Sequence, residues 1–372
     1  MFAILITGAC VEPYDPPVND EDVRFLVVDG FINASNGVAS VTLTRTQPVA
    51  SDQPPPAESG AKLSIEDKNG LKYQLSESGN GMYSGIVPNV NFETQYRLLI
   101  TTNNDRQYTS VFISLQQTPA IDSISYRNTK DGLELSVSAH DITGQSKYYR
   151  WKYIETYEYN SDFNSEFMFT SAGVVDYRPP SQFIYTCWKT TRSTNILVGS
   201  TERLKESVVS RFPLTVIPDG AKQLSRKYSI LIRQQTLSLE GYNYWLNLQK
   251  STERLGGLFD PLPSEVSGNL QSVTNPEQTV IGFFGGGTVD EKRIFITPAD
   301  LPDEMGPYNY RNPFCVVDTI LVADLGNYTS STYLVGAIYP IRGPVIGYTT
   351  SAKPCVDCRD WGGVTVKPDF WD

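Results

Sequence analysis

Few side chains in this 372-residue sequence have the type and spacing to do chemistry, and five cysteines lead them. Cys10 closes the apolar run Ala3-Ile4-Leu5-Ile6-Thr7-Gly8-Ala9 and gives way at once to Val11-Glu12-Pro13-Tyr14-Asp15-Pro16-Pro17. An apolar segment that ends on small residues is the tail of a secretory signal. With cysteine next in line, the chemistry expected is acylation of the Cys10 thiol, which would hold the mature chain on a membrane. Residues 1–9 then read as the end of a signal peptide and residues 10–22 as a polar, Pro-stiffened tether. No Lys or Arg precedes Cys10 and the run is short, so this reading places the start codon further upstream. The competing reading is a buried N-terminal strand with a core cysteine, which Gly8-Ala9-Cys10 followed by acid and proline disfavours.

Cys187, Cys315, Cys355 and Cys358 remain, an even number that in an exported chain reads as two disulfides with three pairings open. Cys355-Val356-Asp357-Cys358 has the spacing of a redox pair, though no βαβ pattern surrounds it, and four thiolates could instead hold zinc. His140, in Ala139-His140-Asp141, is the sole histidine, so any Ser-His-Asp or Cys-His system would have to use it. No Gly-x-Ser-x-Gly elbow accompanies it, and a turn or surface role is expected. Gly285-Gly286-Gly287 lacks the helix start and the Lys-Ser/Thr of a phosphate loop and reads as a bulged turn between two strands. Calcium at Asn19-Asp20-Glu21-Asp22 or over residues 300–304 is set aside, because the spacing matches no dedicated loop. The 41 acidic residues leave a glycosidase pair conceivable, yet nothing marks one. No catalytic residue, metal or other cofactor is therefore assigned.

The elements that position these residues are mainly β. Charged residues make up 19% of the chain while Tyr (22), Gly (28) and Pro (24) abound, a mix that suits exported folds with many turns. The length accommodates two domains. A net charge of −10 with no Lys/Arg cluster excludes a nucleic-acid face and an electrostatic grip on anionic lipid. No segment approaches the ~20 apolar residues a spanning helix needs.

Strands are expected over residues 23–33 and 38–46, around Leu63, Leu75 and Leu98, and over 108–115, with turns at Asn36-Gly37, Lys68-Asn69-Gly70, Gly79-Asn80-Gly81 and Asn103-Asn104-Asp105. These define an N-terminal β-sandwich over residues 23–118, bounded by Gln116-Gln117-Thr118-Pro119. A larger β-rich domain follows over residues 119–372. Leu133, Leu135, Val137 and Ala139 alternate in one of its strands. Residues 148–159 (YYRWKYIETYEY) form a long strand with Tyr149, Trp151, Tyr153, Tyr157 and Tyr159 on one face, either a core stripe or an aromatic sugar platform. Residues 160–186 read as a loop or irregular hairpin. Further strands are predicted over 195–199, 228–234, 279–284 and 292–297. One helix is expected over 238–255, capped by Ser238, facing with Leu239, Tyr242, Trp245, Leu246 and Gln249, and stopped by Gly256-Gly257.

The first domain's order, a strand with a variable loop, Gly-Ala-Lys-Leu-Ser-Ile, a turn, Gly-Met-Tyr-Ser-Gly and Tyr-Arg-Leu-Leu-Ile, resembles the prealbumin-type sandwich. From about residue 10 to its end the chain resembles the DUF4249 family of Bacteroidota outer-membrane lipoproteins. The resemblance rests on Leu26-Val-Val-Asp-Gly30, Tyr149-Arg-Trp-Lys152, Cys187-Trp188, residues 228–235, Gly257-Leu-Phe-Asp-Pro261, Gly268-Asn269, Val280-Ile-Gly-Phe-Phe284 and Lys292-Arg-Ile-Phe-Ile296. It closes on Cys355-Val-Asp-Cys-Arg359 and Lys367-Pro-Asp-Phe-Trp371. Such proteins commonly accompany TonB-dependent receptors. The resemblance thus implies a non-catalytic lipoprotein, accessory to a receptor β-barrel in nutrient capture and able to hold a small nutrient ligand. Glu12 and Asp15 after Cys10 resemble a surface-export signal, with the periplasmic face left open. The alternatives are a lipid-anchored glycan- or peptide-cleaving enzyme and an adhesive or structural module.

Overall fold

Period-two alternation puts Leu26, Val28, Gly30 and Ile32 on one side of the strand Leu26–Asn33 and Val27, Asp29, Phe31 and Asn33 on the other. In the structure, a computed structural model, residues 24–47, 53–171, 173–253, 268–302, 305 and 312–371 are described. The signal run, Cys10, the tether, Asn19-Asp20-Glu21-Asp22 and the Gly256-Gly257 helix stop lie outside these residues. The inward side of Leu26–Asn33 shares one core with Ala39, Val41 and Leu43 of Val38–Arg45, Leu63 and Ile65 of Lys62–Asp67, and Leu98 and Ile100 of Gln95–Thr101. A ten-stranded sheet folds over this core in a sandwich-like arrangement.

Two of those strands come from beyond residue 119. Leu270–Ser272 pairs with Gln107–Ser110, and Val280–Gly287 runs parallel to Leu26–Asn33 over its whole length. The sandwich is therefore not contiguous over residues 23–118. The reason is burial: Phe284, wholly buried in that core, contributes roughly 1.5–3 kcal/mol there. Gly30 makes room for it, since a Cβ at Gly30 would stand 2.9 Å from the Phe284 ring.

Gly285-Gly286-Gly287 is not a bulged turn but the end of this extended strand. The glycines are needed because the linker crosses them. A Cβ at Gly287 would lie 2.2 Å from the Gln116 carbonyl oxygen, and one at Gly286 2.6 Å from Leu115. Gln116 N–H donates to the Gly286 carbonyl at 2.9 Å, and Thr288 alone separates this strand from Val289–Ile296.

The second sandwich faces Ile121–Thr129, Gly132–His140 and Val208–Ile217 against a five-stranded sheet. That sheet is Thr186–Arg192, Tyr148–Asn160, Lys227–Thr236 and Val289–Ile296, with Leu197–Ser200 beside Tyr148–Asn160. Tyr149, Trp151, Tyr153, Tyr157 and Tyr159 are buried in its core with Leu133, Leu135 and Val137, so the aromatic stripe is core and not a sugar platform. Trp151 stacks on Phe212 at 4.2 Å and donates its indole N–H to Gln234 at 2.8 Å.

Phe167–Ser171 and Val174–Tyr177 form the hairpin within residues 160–186. They join Tyr333–Ile338, Gly347–Ser351 and Asp318–Leu321 in a fourth sheet. Among the described residues its core has five buried apolar side chains, Phe167, Phe169, Ile320, Leu325 and Leu334.

The disulfides settle the pairing left open by the sequence: Cys187–Cys358 and Cys315–Cys355. Cys355 and Cys358 thus serve two different partners and form no redox pair. Cys187–Cys358 fastens the C-terminal stretch to the second sandwich, where the Tyr159 hydroxyl donates to the Cys358 carbonyl at 2.7 Å. Trp188 exchanges backbone bonds with Val364, and the buried Trp371 donates its indole N–H to Glu158 at 3.0 Å.

Candidate functional site

The polar face of Tyr148–Asn160 does not simply meet solvent; its first residues, Arg150 and Lys152, meet the first sandwich. Antiparallel register sets Lys152 opposite Arg233 and Arg233 opposite Glu291, with Arg150 opposite Gln235 and Gln235 opposite Val289 in the next row. Residues directly opposite share a face. Into this face reaches Asp29, from the outward side of Leu26–Asn33. Its carboxylate accepts from Lys152 Nζ at 3.1 Å and stands 3.6 Å from the Arg150 guanidinium. Arg233 pairs with Glu291 at 2.7 Å.

The helix Leu239–Glu253 locks this junction. Ser238 Oγ accepts from the Gly241 N–H at 3.1 Å, the cap expected. Trp245 lies under the Arg150 guanidinium, 3.3 Å from it, and Tyr244 stacks on Phe283 at 5.6 Å. Leu239 is exposed, whereas Tyr244, outside the stripe predicted, is buried with Trp245. The helix is wedged between the two sandwiches, so it buries a broader arc than one sheet face would demand.

Burial tends to raise the Asp29 carboxyl, but Arg150 and Lys152 outweigh it and hold the group below the usual carboxylate range. Burial lowers Arg150 and Lys152 in turn. For Lys152 the neighbouring charges of Arg150 and Arg233 add to that lowering.

Beside these pairs runs a cleft of about 340 Å³. Phe31, Asn33, Ser40 and Thr42 make its floor, and Lys152, Arg233, Gln235 and Glu291 its wall. Across the Phe31 side, a more apolar cleft of about 430 Å³ lies among Phe112, Ile113, Leu237 and Phe283.

His140 ends the strand Gly132–His140 with a half-exposed ring, Nδ1 2.8 Å from Asp122. Among the described residues no Ser or Cys side chain bonds to it, and no three His, Cys, Asp or Glu side chains gather as a metal-ligand group. Asp300 spends its carboxylate on the Thr297 N–H and hydroxyl in a capping box. Glu304 lies outside the described residues.

A second surface lies on the fourth sheet. Tyr177, Leu321, Val322, Tyr339, Ile341 and Ile346 are all exposed, Ile341 completely. Two pairs of them come together: Val322 N–H donates to the Ile346 carbonyl at 3.0 Å, and the nearby Tyr339 raises the Tyr177 phenol above its usual range.

Residue reasoning missed Asp29, Arg233 and Glu291 as a group. The available signals were an acid in the otherwise apolar run Leu26-Val27-Val28 and the cations on the polar side of an aromatic strand. Four of the stretches that carry the family resemblance meet here: Leu26–Gly30, Tyr149–Lys152, residues 228–235 and 280–284 border the junction.

Two sandwiches joined by a wedged helix, with a small fourth sheet, define a multi-sheet β scaffold with its polar cleft at the seam. The chain belongs to the family described as "Domain of unknown function (DUF4249)", whose model matches residues 11–293. The closing Cys355–Trp371 stretch lies beyond that span. No curated protein matches the chain. Among solved structures it is similar to one titled "Complete structure of manganese lipoxygenase of Gaeumannomyces graminis and partial structure of zonadhesin of Komagataella pastoris". The identity is 8%, over 58% of this chain and 90% of that one, and the TM-score of 0.17 is too low to carry an argument.

Proposed function

We propose that this protein is a non-catalytic lipoprotein held at the outer membrane by acyl chains on Cys10 and facing the cell surface. There it serves a TonB-dependent receptor as an accessory subunit in nutrient capture. The observation that carries the reading is the apolar rim of Tyr177, Leu321, Val322, Tyr339, Ile341 and Ile346. Exposed apolar side chains grouped on one small sheet suit a partner-binding face, and a receptor β-barrel's outer loops are the occupant we assign to it. Two disulfides support export to an oxidising compartment. A carboxylate held low between two cations is a poor general acid, which favours holding a ligand at the junction over cleaving one. Among the described residues no helix is long and apolar enough to cross a membrane.

The test is affinity purification of the tagged protein from outer membranes. A large β-barrel should co-purify in near-equal amount and be lost with Tyr339→Ser plus Ile341→Ser. Cys10→Ala should release the protein from membranes. Recovery of the protein alone, with turnover of a glycan panel, would reverse the reading.

A further inference from the structure

We propose that the junction cleft binds a small, hydroxyl-bearing organic anion, a sugar acid or a sugar phosphate. This gives a chemical class to the ligand-holding half of the reading above, and rests on it.

The first ground is local charge. The chain carries a net −10, yet two cations, Lys152 and Arg233, line this cleft beside Asp29 and Glu291. Arg150 stands behind Asp29, which it shares with Lys152, and Arg233 pairs with Glu291. Arg233 lowers both Lys152 and Arg293, so like charges press on one another along the row. An anion seated between Lys152 and Arg233 would relieve that repulsion and take the fork geometry a guanidinium offers to carboxylate or phosphate.

The second ground is polarity open to the cleft. The side chains of exposed Ser40 and Thr42 and half-buried Gln235 line it and make no hydrogen bond to other described residues, which leaves them available to a ligand in place of water. Two hydroxyls and an amide suit ring hydroxyls, which both donate and accept. Phe31 adds one apolar wall for a ring face.

The third ground is size and rigidity. About 340 Å³ falls at the low end of small-molecule sites and matches a single small ligand. Floor and wall stand on strands whose register is fixed, so the groups are pre-placed rather than gathered on binding.

The experiment is titration calorimetry of the full chain in detergent with glucuronate, glucose 6-phosphate, glucose and inorganic phosphate. One acidic sugar should bind, at least tenfold more tightly than glucose, and weaken as salt rises. Which acid binds separates the two ligand sources. Arg233→Gln and Lys152→Gln should each weaken it tenfold or more, and Arg233→Lys should restore part of the loss. Thermal melts of the variants separate lost binding from lost fold. Equal binding of glucose, binding by inorganic phosphate alone, indifference of a folded Arg233→Gln protein, or no binding in any arm would overturn the proposal. Since receptor co-purification reads the apolar rim, its success alongside a failed titration would remove the cleft ligand and leave the accessory role standing.

Discussion

At the junction, Arg150 is only 11% exposed and is held by Asp29 on one side and the Trp245 ring on the other. On the fourth sheet, the five buried apolar side chains found among the described residues must support a rim in which Ile341 has no cover at all. The first region hides one charge, Arg150, in a packed seam between two large cores and leaves its partners half-exposed along the cleft. The second shows its apolar groups to solvent and relies on a covalent link, Cys315–Cys355, to tie its far end down. A seam of this kind keeps a binding geometry constant, whereas a thin sheet with an apolar rim suits docking, where the partner supplies the missing burial.

The sharpest way to separate the regions is to empty a core. Trp151→Ala should cost about 3–5 kcal/mol, because the indole is fully buried and its N–H holds Gln234. Urea unfolding should show the loss across the second sandwich and the junction together. Cys315→Ser with Cys355→Ser comes next. The bridge closes a loop with a separation of 40 residues, and its removal should cost about 2–4 kcal/mol. Here the damage should stay local: amide exchange should quicken in Tyr333–Ile338 and Gly347–Ser351 and stay unchanged in Tyr148–Asn160. Equal acceleration in both would show the fourth sheet to be no separate unit.

A smaller effect probes the seam's electrostatics. Asp29→Ala should cost about 1 kcal/mol, between the exposed and the buried ion-pair limits, since Asp29 itself is 42% exposed. Acid should act in the same direction. A carboxyl whose folded pKa lies below its unfolded value stabilises the fold fully above the unfolded value, and that stability fades as pH falls through the folded one. Asp29 and Asp141 both have lowered values. For Asp141, burial is overcome by the N–H groups of Ser146 and Thr143 and the Thr143 hydroxyl, which bring it from 3.8 to about 2. Stability should therefore drop between pH ~4 and ~2, and an acid melt of Asp141→Asn should lose part of that slope.

The strands were legible because alternation writes burial directly into residue order, as in Leu133, Leu135, Val137 and Ala139, or Tyr149 through Tyr159. Ser238 announced its helix for an equally local reason. What escaped was set by distant pairing. Nothing near Gly285-Gly286-Gly287 says that Gln116 will cross it at contact distance, and a glycine run reads as a turn until that crossing is known. The same holds for Val280–Gly287, whose parallel partner lies some 250 residues away and carries the strand back into the first sandwich. Asp29, Arg150, Lys152, Arg233 and Glu291 belong to four strands of two sheets, so their meeting depends on how the sandwiches pack. Local periodicity is silent on that. Cysteine count gave the number of bridges and could not give their pairing.

The smallest expected effect on stability carries the largest consequence for the comparison. Tyr339→Ser and Ile341→Ser remove side chains that touch little within the fold, so each should shift unfolding by no more than about 0.5 kcal/mol. If the rim is a docking face, that near-silence in stability should accompany loss of the co-purifying barrel, because interface energy concentrates in a few central aromatic and aliphatic anchors. A substantial destabilisation by either change would mean that the rim packs against part of this chain. Ordinary melts with stoichiometric recovery of the barrel would move the docking face elsewhere, and the cleft side of the junction would be the next surface to mutate.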